Sequence, residues 1–202
     1  MADQLQTKGE RTYQAILDVA YSLFIEQGYA ATSMRQIAKQ AGMAPGSIYN
    51  HFSSKDEIFE AILHERHPFL QILPILNSIE GSSVEEFVHA AAHTLVDQLG
   101  HHPDVLNLML TEIVEFRGEH VPLMFGNLVP RVYPLVQKIR RLNGEMRQIP
   151  PYVLVRAFVG MFFSYYITGA LLGRAMPAQM QTNALDHFVD IFLHGVLVKE
   201  TA

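Results

Sequence analysis

The sequence predicts an all-α protein of about nine helices, with a small N-terminal head on a larger helical body. Three observations carry that prediction. Apolar residues recur with a period near 3.6 along the whole chain of 202 residues. Val, Ile and Thr nowhere alternate with polar residues over a strand's length. Glycine, proline and serine gather at short breaks between the periodic stretches, as helix connections require.

In the first helix Tyr13, Ile16, Leu17, Ala20, Leu23 and Phe24 share one face, and Gly28 ends it. Ser33 with Gln36 fits a capping box, opening a short helix to Gln40 with Ile37 and Ala38 inward. Ala41, Gly42 and Met43 make a tight turn. Pro45 suits a first helical position, where no N–H is needed. A second short helix is therefore expected to about Phe52, with Ile48 and Phe52 packing inward. Ser54 with Glu57 reads as another capping box, before an apolar side of Ile58, Phe59, Ile62 and Leu63. Longer helices are expected over 55–80, 84–100, 103–117, 120–143, 151–174 and 179–198. Pro68 and Pro74 should kink the first of these, and Pro130 and Pro134 the fourth.

Composition bounds the function. Apolar residues make up 49% of the chain, enough for a real core. The absence of cysteine excludes disulfides, thiolate metal sites and cysteine nucleophiles. The polar start, MADQLQTKGE, has no apolar run behind it, so a cytoplasmic protein is expected. Net charge is −5, but residues 1–55 hold five bases and four acids against 10 bases and 16 acids in the remainder. That split suits a near-neutral head on an acidic body.

Two short helices joined by a glycine turn make a helix-turn-helix, whose second helix enters the DNA major groove. Pro45, Gly46 and Ser47 are small enough for close approach, and Tyr49, Asn50 and His51 follow with polar reach. Lys55 stands in the first turn of the next helix, where its charge opposes the helix dipole unless an anion lies near. The segment ATSMRQIAKQAGMAPGSIYNHFSSKDEIFEAIL, Ala30 to Leu63, resembles the DNA-binding segment of the tetracycline-repressor (TetR) family. The resemblance spans the three-helix head, about residues 10–60. It implies a homodimeric transcriptional regulator, a repressor released from a palindromic double-stranded DNA operator by a small effector. It implies a DNA-binding domain over 1–54 and an effector-binding and dimerisation domain over 55–202. Thr32 or Ser33, Tyr49, His51 and Lys55 match phosphate-contact positions. Arg35, Pro45, Gly46, Ser47 and Asn50 match base-reading positions. Ala44 departs from the pattern, standing where a Ser or Thr cap is common.

In the body, residues 157–173 are uncharged and approach transmembrane length. Arg156 at the edge and the diluting Gly160, Ser164, Thr168 and Gly169 argue against a span and for a buried helix. The resemblance implies that the last two long helices pair with their mates across a two-fold axis, with Phe188, Ile191, Phe192, Gly195 and Val196 as contacts. Met109, Ile113, Phe116, Met124, Phe125, Tyr133, Met161, Phe162, Tyr165 and Tyr166 could line a cavity for a hydrophobic effector. His89 and His93 are one helical turn apart, as are His64 and His67, but neither pair has a third ligand nearby in sequence, so no metal is expected. No phosphate loop, nucleophile elbow or zinc-protease motif occurs, so no cofactor and no enzyme activity are expected. The competing reading is a helical ligand-binding or metal-dependent protein whose N-terminal helices are structural only.

Overall fold

The computed structural model describes residues 7–67, 69–102, 104–142, 146–173 and 175–197, and among them all regular structure is helical. The helices are α1 (Lys8–Gln27), α2 (Met34–Gln40), α3 (Lys55–Arg66), α4 (Phe69–Ser78), α5 (Val84–His101), α6 (Asp104–Glu115), α7 (Val121–Ile139), α8 (Pro151–Leu172), α9 (Ala178–Gln181) and α10 (Ala184–Val196). A short 3-10 helix, Ser47–Asn50, lies between α2 and α3. The all-α architecture and its helix count are close to expectation.

The described residues fall into two compact units. One lies within Met1–His67 and Asp104–Asn127, the other within Pro68–Pro103 and Leu128–Ala202. Packing thus groups α3 and α6 with the N-terminal helices, a division drawn differently from the boundary expected after residue 54.

The first unit is built around α1. Thr7 and Glu10 form a complete capping box at its start, and Gly28, with φ +88°, ends it in a conformation that disfavours any side chain. Ile16, Leu17 and Ala20 of α1, Ile37 and Ala38 of α2, Ile48 of the 3-10 helix and Ile58, Phe59 and Ile62 of α3 are all fully buried in one cluster. Leu108 of α6 joins it. Polar contacts tie α1 to α3. Tyr13 donates its hydroxyl proton to Glu65 at 2.8 Å, and Arg66 pairs with Asp18.

Four expectations are corrected here. The helix foreseen from Pro45 to Phe52 is a 3-10 helix of four residues. Gly46 offers no side-chain cap and Ala44 has no hydroxyl, so the Ser47 N–H turns back to the Ala44 carbonyl at 2.9 Å, the tighter i→i+3 pattern. The second capping box is split. Ser54 accepts from the Glu57 N–H, but the Glu57 carboxylate reaches back to the N–H and hydroxyl of Ser53. The helix expected over 55–80 is broken, not kinked. His67, the residue before Pro68, takes an extended ψ of 127°, as crowding by the following proline ring favours. Pro68 itself lies outside the described residues, and α4 continues through Pro74. The helix expected over 179–198 is divided at Asn183, whose φ of 53° is left-handed. Asparagine tolerates that region better than most side chains.

The second unit is built around α5, which packs on α4, α8 and α10. Its inner face is Val84, Phe87, Val88, Ala91, Ala92, Leu95 and Leu99. Lys138 of α7 donates to the carbonyls of Asn77 (3.0 Å) and Ile79 at the end of α4. Arg147 does the same for α10, donating to the Gly195 carbonyl at 3.0 Å, as a cation at a helix C-terminus should.

Candidate functional site

The polar tip foreseen between α2 and α3 is exposed on a rigid base. Ile48 and Phe52 are buried, and the Phe52 ring stacks on Tyr13 with centroids 4.9 Å apart. Pro45, Gly46, Tyr49 and Asn50 are exposed, Tyr49 to 57%, while Ser47 and His51 are partly so. Gly46 takes ordinary right-handed angles, and a Cβ there would meet nothing within 4 Å. The fold therefore makes no demand for glycine at that position. Gly42 is different. Its φ of +70° is what lets the turn between α2 and the 3-10 helix form. On α2, Arg35 is exposed, and Ser33 is exposed but committed as the helix cap, accepting from the Gln36 N–H at 3.3 Å.

Two of the expected phosphate ligands are held inside the head. Thr32 is buried, and its hydroxyl donates to the Gly28 carbonyl at 2.9 Å, closing the loop after α1. Lys55 does not wait for an anion. Its ammonium donates to the carbonyls of Tyr29 (2.6 Å) and Thr32 (2.8 Å) and sits 3.9 Å above the Tyr29 ring. The conflict with the α3 dipole is relieved by these carbonyls and the aromatic face. Burial pulls the Lys55 pKa down. Tyr29 completes the clamp by donating to Asp56, and burial, followed by that carboxylate, pushes its phenol pKa up. Tyr29 and Asp56 were missed because their partners lie 27 residues apart.

The expected effector residues are divided between the two units. Phe116 belongs to the aromatic core of the first unit, stacked on Phe59 with centroids 4.7 Å apart and 4.9 Å from Tyr29. Met109 is half-buried in the same unit, and Ile113 is 61% exposed. In the second unit Phe162 is fully buried against Phe158 and Phe192, Tyr133 is 63% exposed, and Tyr165 and Tyr166 are half-buried. The side chains of Met124 and Phe125 lie outside the described residues. A pocket of about 630 Å³ opens instead between the end of α7 and the start of α8, lined by Ile139, Arg140, Met146, Ile149 and Leu154 among others. None of the expected residues lines it.

The expected dimer contacts divide by face. Phe192 and Val196 point into their own chain, Phe192 against Phe158 at 5.4 Å, so they are core. Ile191 and Gly195 are exposed and Phe188 is half-buried beside Tyr165. The burial expected of α8 is not found. Of its 22 residues, Leu154 and Phe162 are buried, while Val153, Ala157, Gly160, Ser164, Thr168 and Leu171 lie open along one stripe.

Residues 16–62 match the family model described as bacterial regulatory proteins, tetR family. The chain is 24% identical over 195 residues to the uncharacterized HTH-type transcriptional regulator YvkB of Bacillus subtilis, covering 92% of this chain and 97% of the relative. It is 31% identical over 143 residues to the uncharacterized HTH-type transcriptional regulator TtgW of Pseudomonas putida, covering 69% of this chain and all of the relative. The crystal structure of a TetR-family transcriptional regulator from Mesorhizobium loti superposes with a TM-score of 0.71 at 20% identity, over 96% of this chain and all of that one. The complex of SmeT with triclosan gives a TM-score of 0.65 at 21% identity, over 94% and 93% of the two chains.

Proposed function

The chain belongs to the TetR family of DNA-binding transcriptional regulators, and from that premise we propose that it is a ligand-released repressor acting on a palindromic operator as a homodimer. The observation that carries the reading is the tip at 45–51. It is exposed and polar, mounted on fully buried Ile48 and Phe52. Gly46 there answers no need of the fold, which supports close approach of another molecule. Ser33, Tyr49 and His51 are proposed to touch phosphate, and Arg35, Pro45, Gly46, Ser47 and Asn50 to lie along base edges. Thr32 and Lys55 serve by fixing the loop and α3 from within. The functional division we propose falls at residue 54, with α3 supporting the head and the chain beyond it serving the effector and the dimer. Such a regulator works in the cytoplasm and performs no catalysis.

A dimer is supported by the open, mostly apolar stripe of α8 and by exposed Ile191 on α10, apolar surface that a lone chain would leave in water at about 25 cal/mol per Å². A hydrophobic effector is supported by the triclosan held by SmeT. Of the expected lining residues, Ile113 and Tyr133 are exposed and Met109, Tyr165 and Tyr166 half-buried, so a ligand can reach them. Effector binding would favour a conformation whose paired heads no longer fit both half-sites.

The test is fluorescence anisotropy on the DNA upstream of the protein's own gene, titrated with salt. Binding should weaken steeply as salt rises, because phosphate contacts release counterions. Tyr49→Ala should weaken binding to all sequences alike, and Asn50→Ala should change preference. Salt-independent binding, or none, would leave the N-terminal helices a structural role.

A further inference from the structure

We propose that His89, His93 and Asp186 form a binding site for a divalent transition-metal ion of zinc type, which joins α5 to α10. The three side chains offer two imidazole nitrogens and a carboxylate oxygen, all within 4.8 Å of one another. His93 Nε2 lies 2.8 Å from Asp186 Oδ1, and His89 Nδ1 lies 3.9 Å from the same oxygen. The two rings stand nearly parallel, 15° apart, with centroids separated by 6.4 Å. Zinc bonds of about 2.0–2.1 Å place ligand atoms roughly 3.3 Å apart on a tetrahedron, so small side-chain rotations close the set.

The backbone is already fixed for this purpose. Val88, Ala91, Ala92 and Leu95 anchor α5, and Val189, Phe192 and Leu193 anchor α10, which sets the two polar edges side by side. All three ligands are about half exposed, so an ion can reach them and water can fill the remaining position. Two imidazoles with one carboxylate suit zinc, nickel, cobalt or copper; magnesium and calcium prefer oxygen. The third ligand is what sequence spacing withheld, because Asp186 stands 93 residues from His93. The site belongs to the second unit and the polar tip to the first, and binding at the site ties down α10, on which Ile191 and Gly195 are exposed.

The full chain, stripped with chelator, should be titrated with cobalt(II) and followed by its visible d–d absorption, then back-titrated with zinc. One cobalt per chain, displaced by zinc and accompanied by a raised melting temperature, is expected. Losing a group that merely orients a ligand costs about 10- to 100-fold in affinity. H89A, H93A and D186N should each lose at least as much, while their metal-free melts match the wild type. No cobalt binding at millimolar concentration overturns the proposal, as does unchanged binding in the H89A/H93A double variant, which would assign the ion to other histidines. Loss in the histidine variants with full binding in D186N also overturns it, because the site would then be an i,i+4 pair on one helix.

Discussion

The head and the α8–α10 layer expose opposite kinds of surface. Among the described residues of the head up to His67, every large apolar side chain except Tyr49 is buried or partly buried, and what remains outside is small or polar. In the second unit α8 is apolar nearly all round, yet two of its 22 residues are buried. The head is therefore finished as a solid body and presents chemistry. The layer is unfinished and presents area. A polar surface on a complete core suits a partner met reversibly, whereas an apolar surface of this kind suits a partner of the same make.

The comparison breaks if the head is less rigid than its packing implies. Phe59 is fully buried and contacts Phe24, Tyr29, Phe116 and His120. Phe59→Ala should cost about 3–5 kcal/mol in a denaturant melt and abolish DNA binding with it. A loss under 1 kcal/mol, about the cost of a surface change, would mean that the cluster is loosely packed. Next comes acid. Burial holds His67 down at about 4 from an ordinary 6.5. Between those values the unfolded chain takes up a proton that the folded chain refuses. Its contribution is complete above about pH 6.5 and is lost as pH falls toward 4, amounting to about 3 kcal/mol at 1.36 kcal/mol per unit. His67→Gln should flatten that part of the stability profile; an unchanged slope between pH 6.5 and 4 would contradict it. A smaller effect belongs to the cap of α2. Ser33→Ala should cost about 1 kcal/mol, read in the same melt, with a modest loss of DNA affinity.

How far each region was legible follows from the same contrast. Within the head, the contacts that define the element boundaries are local. Ser33 caps through Gln36, and Ile37, Ala38, Ile48 and Phe52 fall inward by periodicity alone. What escaped was tertiary. Lys55 looked like a free cation because the carbonyls that hold it, at Tyr29 and Thr32, are 26 and 23 residues away. The 3-10 form of Ser47–Asn50 was missed because Pro45 signals a helix start without saying which helix. In the second unit, periodicity identified the helices but could not assign faces. Phe192 and Ile191 are adjacent and equally apolar, yet one is core and the other open. A uniformly apolar α8 carries no stripe from which an inner face could be read.

The smallest expected effect on the fold discriminates most sharply between a finished and an unfinished surface. Gly160 sits in the middle of α8 on its open stripe, and a Cβ there would meet nothing within 4 Å of the chain. Glycine in a helix interior costs about 0.5–1 kcal/mol relative to alanine, and in a lone chain nothing would offset that cost. Gly160→Ala should therefore raise the stability of the dilute protein by up to about 1 kcal/mol. If a second copy packs closely along the stripe, the same methyl group intrudes on it, and the dimer should dissociate at lower dilution in sedimentation equilibrium. The two readouts should move in opposite directions. A stabilised chain with an unaltered dimer would show that the copies meet elsewhere, and the open apolar face of α8 would then need a different occupant.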